Sequence, residues 1–222
     1  MRKFGWVEAS FQLIVDLLGF LMVNVAEVDD VPKSMLVRLL TRATRAGDTV
    51  VVVGDGAVGL LGILAAKQLG AERIIAMSRH ADRQELARRF GATDIVEERG
   101  DEGIARVKEL THGLGAHSVI EAVGTQQSME QAVRSTRPGG HIGFVGVSHD
   151  VTLEGQELFR SAVHLHGGPA PVRRFLPELI QLIWDREIDP GAVFDLTLPL
   201  EEAAEGYRAM DERRATKVLL TV

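Results

Sequence analysis

The chain has 222 residues and no cysteine, so disulfide bonds, thiolate metal sites and cysteine nucleophiles are excluded. Its 31 acidic and 25 basic residues give a formal net charge of −6, which argues against a nucleic acid or an anionic membrane as the main partner. The length and the 45% hydrophobic content are typical of one main domain of about 200 residues with a sizeable core.

The first 31 residues do not resemble the rest of the chain, and we predict an apolar, helical N-terminal extension there. The apolar run from Phe11 to Val25 is interrupted by Asp16 and Asn24, and it is shorter than the roughly 20 residues that span a membrane. Glu8 and Asp16 also argue against a secretory signal. We therefore expect a buried or partner-binding helix, and a cytoplasmic protein without a membrane partner.

After Pro32, short apolar runs alternate with stretches of helical periodicity. A helix is predicted over 34–45, and the continuous β-branched run at 49–53 is typical of a strand that is buried on both faces. Five further strands are predicted at 73–77, 94–96, 118–122, 141–147 and 163–166. Helices are predicted at 57–69, 82–90, 102–111, 128–136 and 173–184. This alternation indicates βαβ units, and therefore an α/β fold with a doubly wound parallel sheet of six strands.

A glycine-rich turn with the sequence GDGAVG follows the first strand and opens the next helix. In this strand–turn–helix position the G-x-G-x-x-G pattern is typical of dinucleotide binding. Gly54 permits the tight turn, Gly56 lets the backbone approach a pyrophosphate, and Gly59 allows the helix to pack near the strand. The anion would be received by N–H groups at the helix start, those of Gly56, Ala57 and Val58. Two alternatives are a glycine turn without a ligand and a methyltransferase-type adenosine site.

The end of the second strand carries Ser78 and Arg79, where NAD-binding proteins usually place an acidic residue for the ribose hydroxyls. Asp82 follows too late and is predicted to be the N-cap of the next helix. A hydroxyl and a guanidinium suit a 2′-phosphate, so the pair favours NADP, with NAD as the second choice. The alternative is a surface Ser-Arg pair without a ligand.

Several stretches between 46 and 222 carry a family pattern: residues 46–59, 65–71, 90–94, 121–124, 137–140, 203–208 and 217–220. In this order they resemble the cofactor-binding half of the medium-chain dehydrogenase/reductase family, the zinc-type alcohol dehydrogenases. The resemblance implies a Rossmann fold and an NAD(P)-dependent oxidoreductase that transfers hydride between a small alcohol and a carbonyl. It also implies that 32–200 is the cofactor domain and that 201–222 is a helix and strand left from a catalytic domain.

The resemblance further implies which residues bind the cofactor. Ser78 and Arg79 would bind the adenosine ribose or its phosphate, and Ala122 and Val123 would pass over that ribose. Two more residues belong to segments whose backbone would hold the nicotinamide amide, namely Val145 and His166. The strand at Val163–His166 would pair with its two-fold mate in a homodimer.

The 45 residues before the matching region contain no cysteine and no histidine, so the family's zinc ligands and catalytic residues have no counterpart here. The resemblance therefore implies a chain without its catalytic domain, and we assign no catalytic residue and no metal site. His164 and His166 have metal-ligand spacing, but packing is the favoured interpretation. A non-catalytic nucleotide-binding fragment and a zinc-free, quinone-reductase-like relative remain alternatives. Without a catalytic domain, three apolar residues near the C-terminus are predicted to face water or the N-terminal helix: Val218, Leu219 and Leu220.

Overall fold

A computed structural model describes residues 46–148, 150–168 and 172–222, apart from the side chains of Val172 and Arg174. These residues fall into two compact units, 46–168 and 172–222. The predicted N-terminal extension and the predicted helix at 34–45 lie outside the described residues. Within the described ranges, no helix is both long enough and apolar enough to cross a membrane. The domain boundary expected at residue 200 stays a prediction.

The first unit is a six-stranded parallel sheet with helices between the strands, as predicted. The spatial order of the strands is β3-β2-β1-β4-β5-β6. In chain order the elements are β1 Thr49–Val53, α1 Ala57–Gln68, β2 Arg73–Met77, α2 Ala81–Phe90, β3 Asp94–Val96, α3 Gly100–Leu110, β4 Ala116–Glu121, α4 Gln126–Ser135, β5 Thr136–Phe144, α5 Gly155–Ser161 and β6 His164–Gly167.

The strand β1 lies at the centre of the sheet because its side chains are apolar on both faces. Its four valines, Val50–Val53, are at most 1% exposed. The strand pairs in parallel with β2 on one side and with β4 on the other. Each fully buried valine stabilises the fold by roughly 1.5–3 kcal/mol relative to an exposed one, so this run is a major part of the core.

Two local predictions in this unit are wrong. The helix α2 begins at Ala81 with His80 as its N-cap, so Asp82 lies in the first turn and does not cap the helix. A strand was predicted over 141–147, but β5 runs from Thr136 to Phe144, so the Pro138–Gly140 segment lies inside the strand. A register shift against β4 accommodates these residues, since β5 regains regular pairing only at His141.

The helix α5 was not predicted from the sequence. None of its residues is buried, so the sequence lacks the helical spacing of apolar residues that marks a buried face.

The second unit contains a small parallel sheet of two strands. Its helices and strands are α6 Val172–Trp184, β7 Leu196–Pro199, α7 Ala203–Asp211 and β8 Val218–Thr221, with short 3-10 helices at Pro190–Val193 and Leu200–Glu202. The strand β8 pairs with β7, which places Val218 in a cluster with Ala209 and Ala215. Leu220 packs against the same cluster. The prediction that the C-terminal apolar residues face water or the N-terminal helix is therefore wrong for Val218 and Leu220, which pack within their own unit, and it stays a prediction for Leu219.

Candidate functional site

The glycine-rich turn places the start of helix α1 beside the end of β1. Gly56 is the N-cap in an extended conformation, and its position provides no side chain to cap the helix. The first helical turn also contains no acidic residue. The first N–H groups of a helix have no partner within the helix, and the helix dipole places partial positive charge there. The start of α1 can therefore bind an anion such as a pyrophosphate.

The three glycines of this turn meet different surroundings. A Cβ at Gly59 would lie 2.0 Å from the carbonyl oxygen of Gly54, so helix and turn approach too closely for any other residue. Gly54 has a φ of +119°, and a Cβ there would lie 2.9 Å from Cγ2 of Val123. A Cβ at Gly56 would meet no heavy atom within 4 Å, so this position opens to a ligand. These distances support the separate roles that the sequence predicts for the three glycines.

At the carboxyl edge of the sheet one further segment meets the turn, and a second lies against the first. Gly54 contacts Ala122 and Val123 after β4, and Gly124 lies against Val147 after β5. The predicted cofactor residue Val145 begins this last segment, and its N–H donates to the carbonyl oxygen of Glu121 over 2.8 Å. The structure thus brings together the predicted residues of the turn, of 122–123 and of 145.

Glu121 holds both of these segments, and the sequence analysis gave it no role. Its carboxylate is fully buried, and Oε1 accepts hydrogen bonds from the N–H groups of Val123 and Gly124, both over 2.8 Å. Its backbone carbonyl oxygen accepts from Val145 and Gly146. One residue therefore fixes the loops after β4 and β5. An acidic residue directly after the apolar pair Val119-Ile120 of a buried strand is the signal that could have identified it.

At the end of β2 the structure places an acidic residue next to Ser78. The Ser78 hydroxyl is buried and donates to Oδ2 of Asp55 over 2.8 Å, and Arg83 Nη1 lies 3.3 Å from Oδ1 of the same carboxylate. Arg79 is exposed beside them. The strand itself ends without an acid, as the sequence shows, but the glycine-rich turn supplies one. Neither Asp55 nor Arg83 was predicted as a site residue from the sequence.

The carboxyl group of Asp55 is ionised at neutral pH. Partial burial works to raise its pKa, but the hydrogen bond from Ser78 and the charges of three basic side chains outweigh burial and hold the pKa below its ordinary value. These side chains are Arg83, His80 and Arg99. The end of β2 is therefore a cluster of positive charge around one carboxylate.

The histidines of β5 and β6 form a separate feature. His164 stacks on His141 with ring centroids 4.6 Å apart, and the predicted cofactor residue His166 lies opposite Gly143 of β5. Burial, together with the neighbouring charges of His164 and His166, lowers the pKa of His141. In the described part of the chain, no three side chains of the His, Asp or Glu type are placed to hold a metal ion. The described residues therefore do not fit a zinc site.

A cavity of about 560 Å³ opens at the other edge of the first unit, and it does not belong to this site. Its lining includes Leu114, just before β4, and Thr136, at the start of β5. These residues mark the amino ends of the strands, whereas ligands of doubly wound sheets bind at the carboxyl ends.

The first unit has the architecture of a Rossmann domain. Its strand order reverses between β1 and β4, and the glycine-rich turn lies at this reversal. In doubly wound sheets, dinucleotides bind outside the carboxyl ends of the strands at this point. The class of the fold is thus a Rossmann-type α/β domain whose turn, helix start and neighbouring loops fit a dinucleotide.

Comparison with known proteins assigns the family. The profile of a family described as zinc-binding dehydrogenase matches residues 57–184, more than half of the chain. This chain belongs to the zinc-binding dehydrogenase family.

Two curated relatives and one solved structure illustrate the similarity. A probable zinc-binding alcohol dehydrogenase of Mycobacterium tuberculosis is 40% identical over 164 residues, which are 72% of this chain and 41% of that protein. An NADP-dependent isopropanol dehydrogenase of Entamoeba histolytica is 31% identical over 151 residues, 65% of this chain and 41% of that protein. A crystal structure of an NAD-dependent alcohol dehydrogenase superposes with a TM-score of 0.74 at 30% identity, covering 86% of this chain and 57% of that one. The chain thus spans about two fifths of the length of these curated relatives.

Proposed function

We propose that this chain binds a nicotinamide dinucleotide, with NADP preferred over NAD, and serves hydride transfer between a small alcohol and a carbonyl compound. The observation that carries the proposal is the uncapped start of α1 behind Gly56, which is open to an anion where the strand order reverses. The cofactor supplies the hydride chemistry, and the protein binds and orients it. Membership of a dehydrogenase family supports the reaction class.

In this proposal the remaining predicted residues line the cofactor. Ala122 and Val123 lie beside the ribose, while Val145 and His166 belong to the segments for the nicotinamide amide. Val123 and Val147 are the exposed apolar side chains at this edge, with 46% and 72% of their surface accessible, and they offer apolar area to a bound ring. A cytoplasmic location stays a prediction from the sequence.

The preference for NADP rests on the charges at the end of β2. Arg79 is exposed there, and Arg83, His80 and Arg99 lie close enough to act on the Asp55 carboxylate. A planar guanidinium suits the oxygens of a 2′-phosphate. Among the similar proteins described above, one is named as NADP-dependent and another as NAD-dependent, so the choice depends on this chain's own residues.

We expect Arg79→Ala to weaken NADPH binding selectively. Loss of one hydrogen bond to a charged group removes about 1.5–3 kcal/mol, which is a tenfold or greater loss of affinity. NADH affinity should change little, because NADH has no 2′-phosphate. Calorimetric titration of both reduced cofactors against the wild-type protein and the variant measures this. The control is Arg88→Ala, which removes an exposed cation from the last turn of α2.

Equal affinities of the wild-type protein for the two cofactors would contradict the NADP preference. Turnover is assayed in parallel with NADP, zinc and a panel of small alcohols. Cofactor binding without turnover would favour the alternative of a non-catalytic nucleotide-binding module. Reduction of quinones by NADPH without added zinc would favour a quinone-reductase-like activity.

We also propose a homodimer through β6. Among the described strands, β6 is the last strand at one edge of the sheet, and it pairs with β5 along its inner edge. Pairing of two such strands would satisfy an open row of backbone groups. Leu165→Pro removes one backbone N–H from this strand and is expected to give monomers in light scattering. Circular dichroism of the variant serves as the control for folding, and a folded variant that stays dimeric would exclude this interface.

A further inference from the structure

The carboxylate of Asp55 engages two neighbouring side chains: Ser78, which a 2′-phosphate would use, and Arg83 in the first turn of α2. Its Oδ2 accepts the Ser78 hydroxyl over 2.8 Å, and its Oδ1 lies 3.3 Å from Arg83 Nη1. The side chains of Asp55 and Arg83 are each only 12% exposed, so this pair is poorly screened by water. Both oxygens of the carboxylate are thus engaged by the end of β2 and the start of α2.

This arrangement changes what Ser78 can offer to a cofactor. A hydroxyl has a single proton to donate, and in this structure the proton points to Asp55. The same hydroxyl can donate to a phosphate only after that hydrogen bond breaks. An ionised carboxylate also repels a phosphate at hydrogen-bond distance, and the repulsion is strong where water is partly excluded. Asp55 therefore weakens the attraction that the surrounding basic side chains exert on a phosphate.

An acid at this place has the opposite effect on NAD. A ribose 2′-hydroxyl can donate to a carboxylate, and in NAD-binding Rossmann domains an acid at the end of the second strand serves this purpose. Here β2 ends without one, and Asp55 from the turn after β1 lies within hydrogen-bond distance of Ser78. Among the described residues, Asp55 is the acid whose carboxylate accepts the Ser78 hydroxyl.

We propose that Asp55 is a specificity-determining residue, which reduces the preference for NADP by holding Ser78 and Arg83 and by accepting the ribose 2′-hydroxyl of NAD. This inference rests on the proposed dinucleotide binding. It concerns a residue inside the glycine-rich turn, at the position between Gly54 and Gly56. The side chain leaves the helix start free, because it turns toward β2.

The test is the ratio of the dissociation constants for NADPH and NADH in Asp55→Asn, measured by calorimetry on the full chain. The asparagine keeps an oxygen that can accept from Ser78 but carries no charge. We expect the ratio to shift at least about tenfold toward NADPH, because one repulsion is removed and the released Arg83 can donate a charge-assisted hydrogen bond to the phosphate. The matched control is Asp82→Asn, which removes an exposed carboxylate from the first turn of α2 and should leave the ratio within about twofold because water screens it.

An unchanged ratio in a variant that binds both cofactors would overturn the role of Asp55 and leave the proposed cofactor binding intact. An equal shift in Asp82→Asn would overturn it as well, since net charge would then explain the effect. A wild-type protein that binds neither cofactor would overturn both proposals. Loss of the ion pair with Arg83 can lower stability, so Asp55→Ala is measured alongside Asp55→Asn. The same shift in the ratio of dissociation constants is expected in whichever variant keeps the wild-type melting temperature.

Discussion

Replacement of Gly56 by alanine is expected to abolish tight cofactor binding while the protein stays folded. The added Cβ meets no heavy atom within 4 Å, and the residue has an ordinary extended conformation, so the fold has room for it. A pyrophosphate at the start of α1 would, however, meet this methyl group. Loss of one or two hydrogen bonds from helix N–H groups to the phosphate costs about 1.5–3 kcal/mol each, which weakens binding roughly ten- to a thousandfold or more.

The matched comparison is Gly59→Ala in the same turn. Its Cβ would lie 2.0 Å from the Gly54 carbonyl oxygen and 2.8 Å from the Gly54 carbonyl carbon, so helix and turn must separate. We expect this variant to melt at a clearly lower temperature, whereas Gly56→Ala melts like the wild-type protein. Calorimetric titration with NADPH and a thermal melt of each variant measure the two effects. If Gly56→Ala binds NADPH as the wild-type protein does, the phosphate does not contact this turn.

The second large effect is expected on stability, from Glu121→Ala. The change removes the acceptor of two hydrogen bonds, the buried one from the N–H of Gly124 and the partly buried one from the N–H of Val123. An unsatisfied buried group costs about 1–3 kcal/mol and a partly buried one less, so we expect the free energy of unfolding to fall by about 2–4 kcal/mol. Urea unfolding followed by circular dichroism measures this loss.

Glu121→Gln is the control that separates hydrogen bonding from charge. Glutamine keeps an acceptor oxygen for the two N–H groups and removes a carboxylate whose Oε2 has no hydrogen-bond partner among the described residues. We expect its stability to stay within about 1 kcal/mol of the wild-type protein. Removal of a buried charge stabilises the variant, and this nearly offsets the weaker hydrogen bonds that a neutral amide oxygen accepts. A glutamine variant as unstable as the alanine variant would show that the charge, and not the acceptor, holds the two loops.

The sheet could be predicted from the sequence because its central strands β1 and β2 are buried on both faces. The β-branched run at 49–53 and the predicted strands at 73–77 and 94–96 have the bounds that the structure gives to β1, β2 and β3. Helices and strands were predicted less well where few of their residues are buried, because their sequences then lack a regular apolar pattern. The helix α5 has no buried residue, and the start of β5 includes a proline and two glycines that usually signal a turn.

The candidate site was predictable only in its local part. The spacing of Gly54, Gly56 and Gly59 is a pattern of six neighbouring residues, and the close approach of Gly59 to Gly54 lies within it. The constraint that Val123 places on Gly54 comes from a distant part of the chain. The contact of Asp55 with Ser78 joins residues that are 23 positions apart, and it depends on the register that sets Val53 beside Met77. Sequence periodicity does not determine such a register. The role of Glu121 likewise depends on backbone N–H groups of loops whose course only the fold determines.

The position of β1 has a consequence for the order in which the protein folds. This strand comes first in the described chain, but its two neighbours in the sheet, β2 and β4, are supplied by later parts of the sequence, and Val50 pairs with both Ile74 and Ser118. Bringing β4 next to β1 closes the longer of these two loops, and the loss of chain entropy comes before the contacts between the strands can offset it. During synthesis, the most apolar strand of the sheet therefore leaves the ribosome long before β4 can cover it. Until then its exposed valines need protection from aggregation.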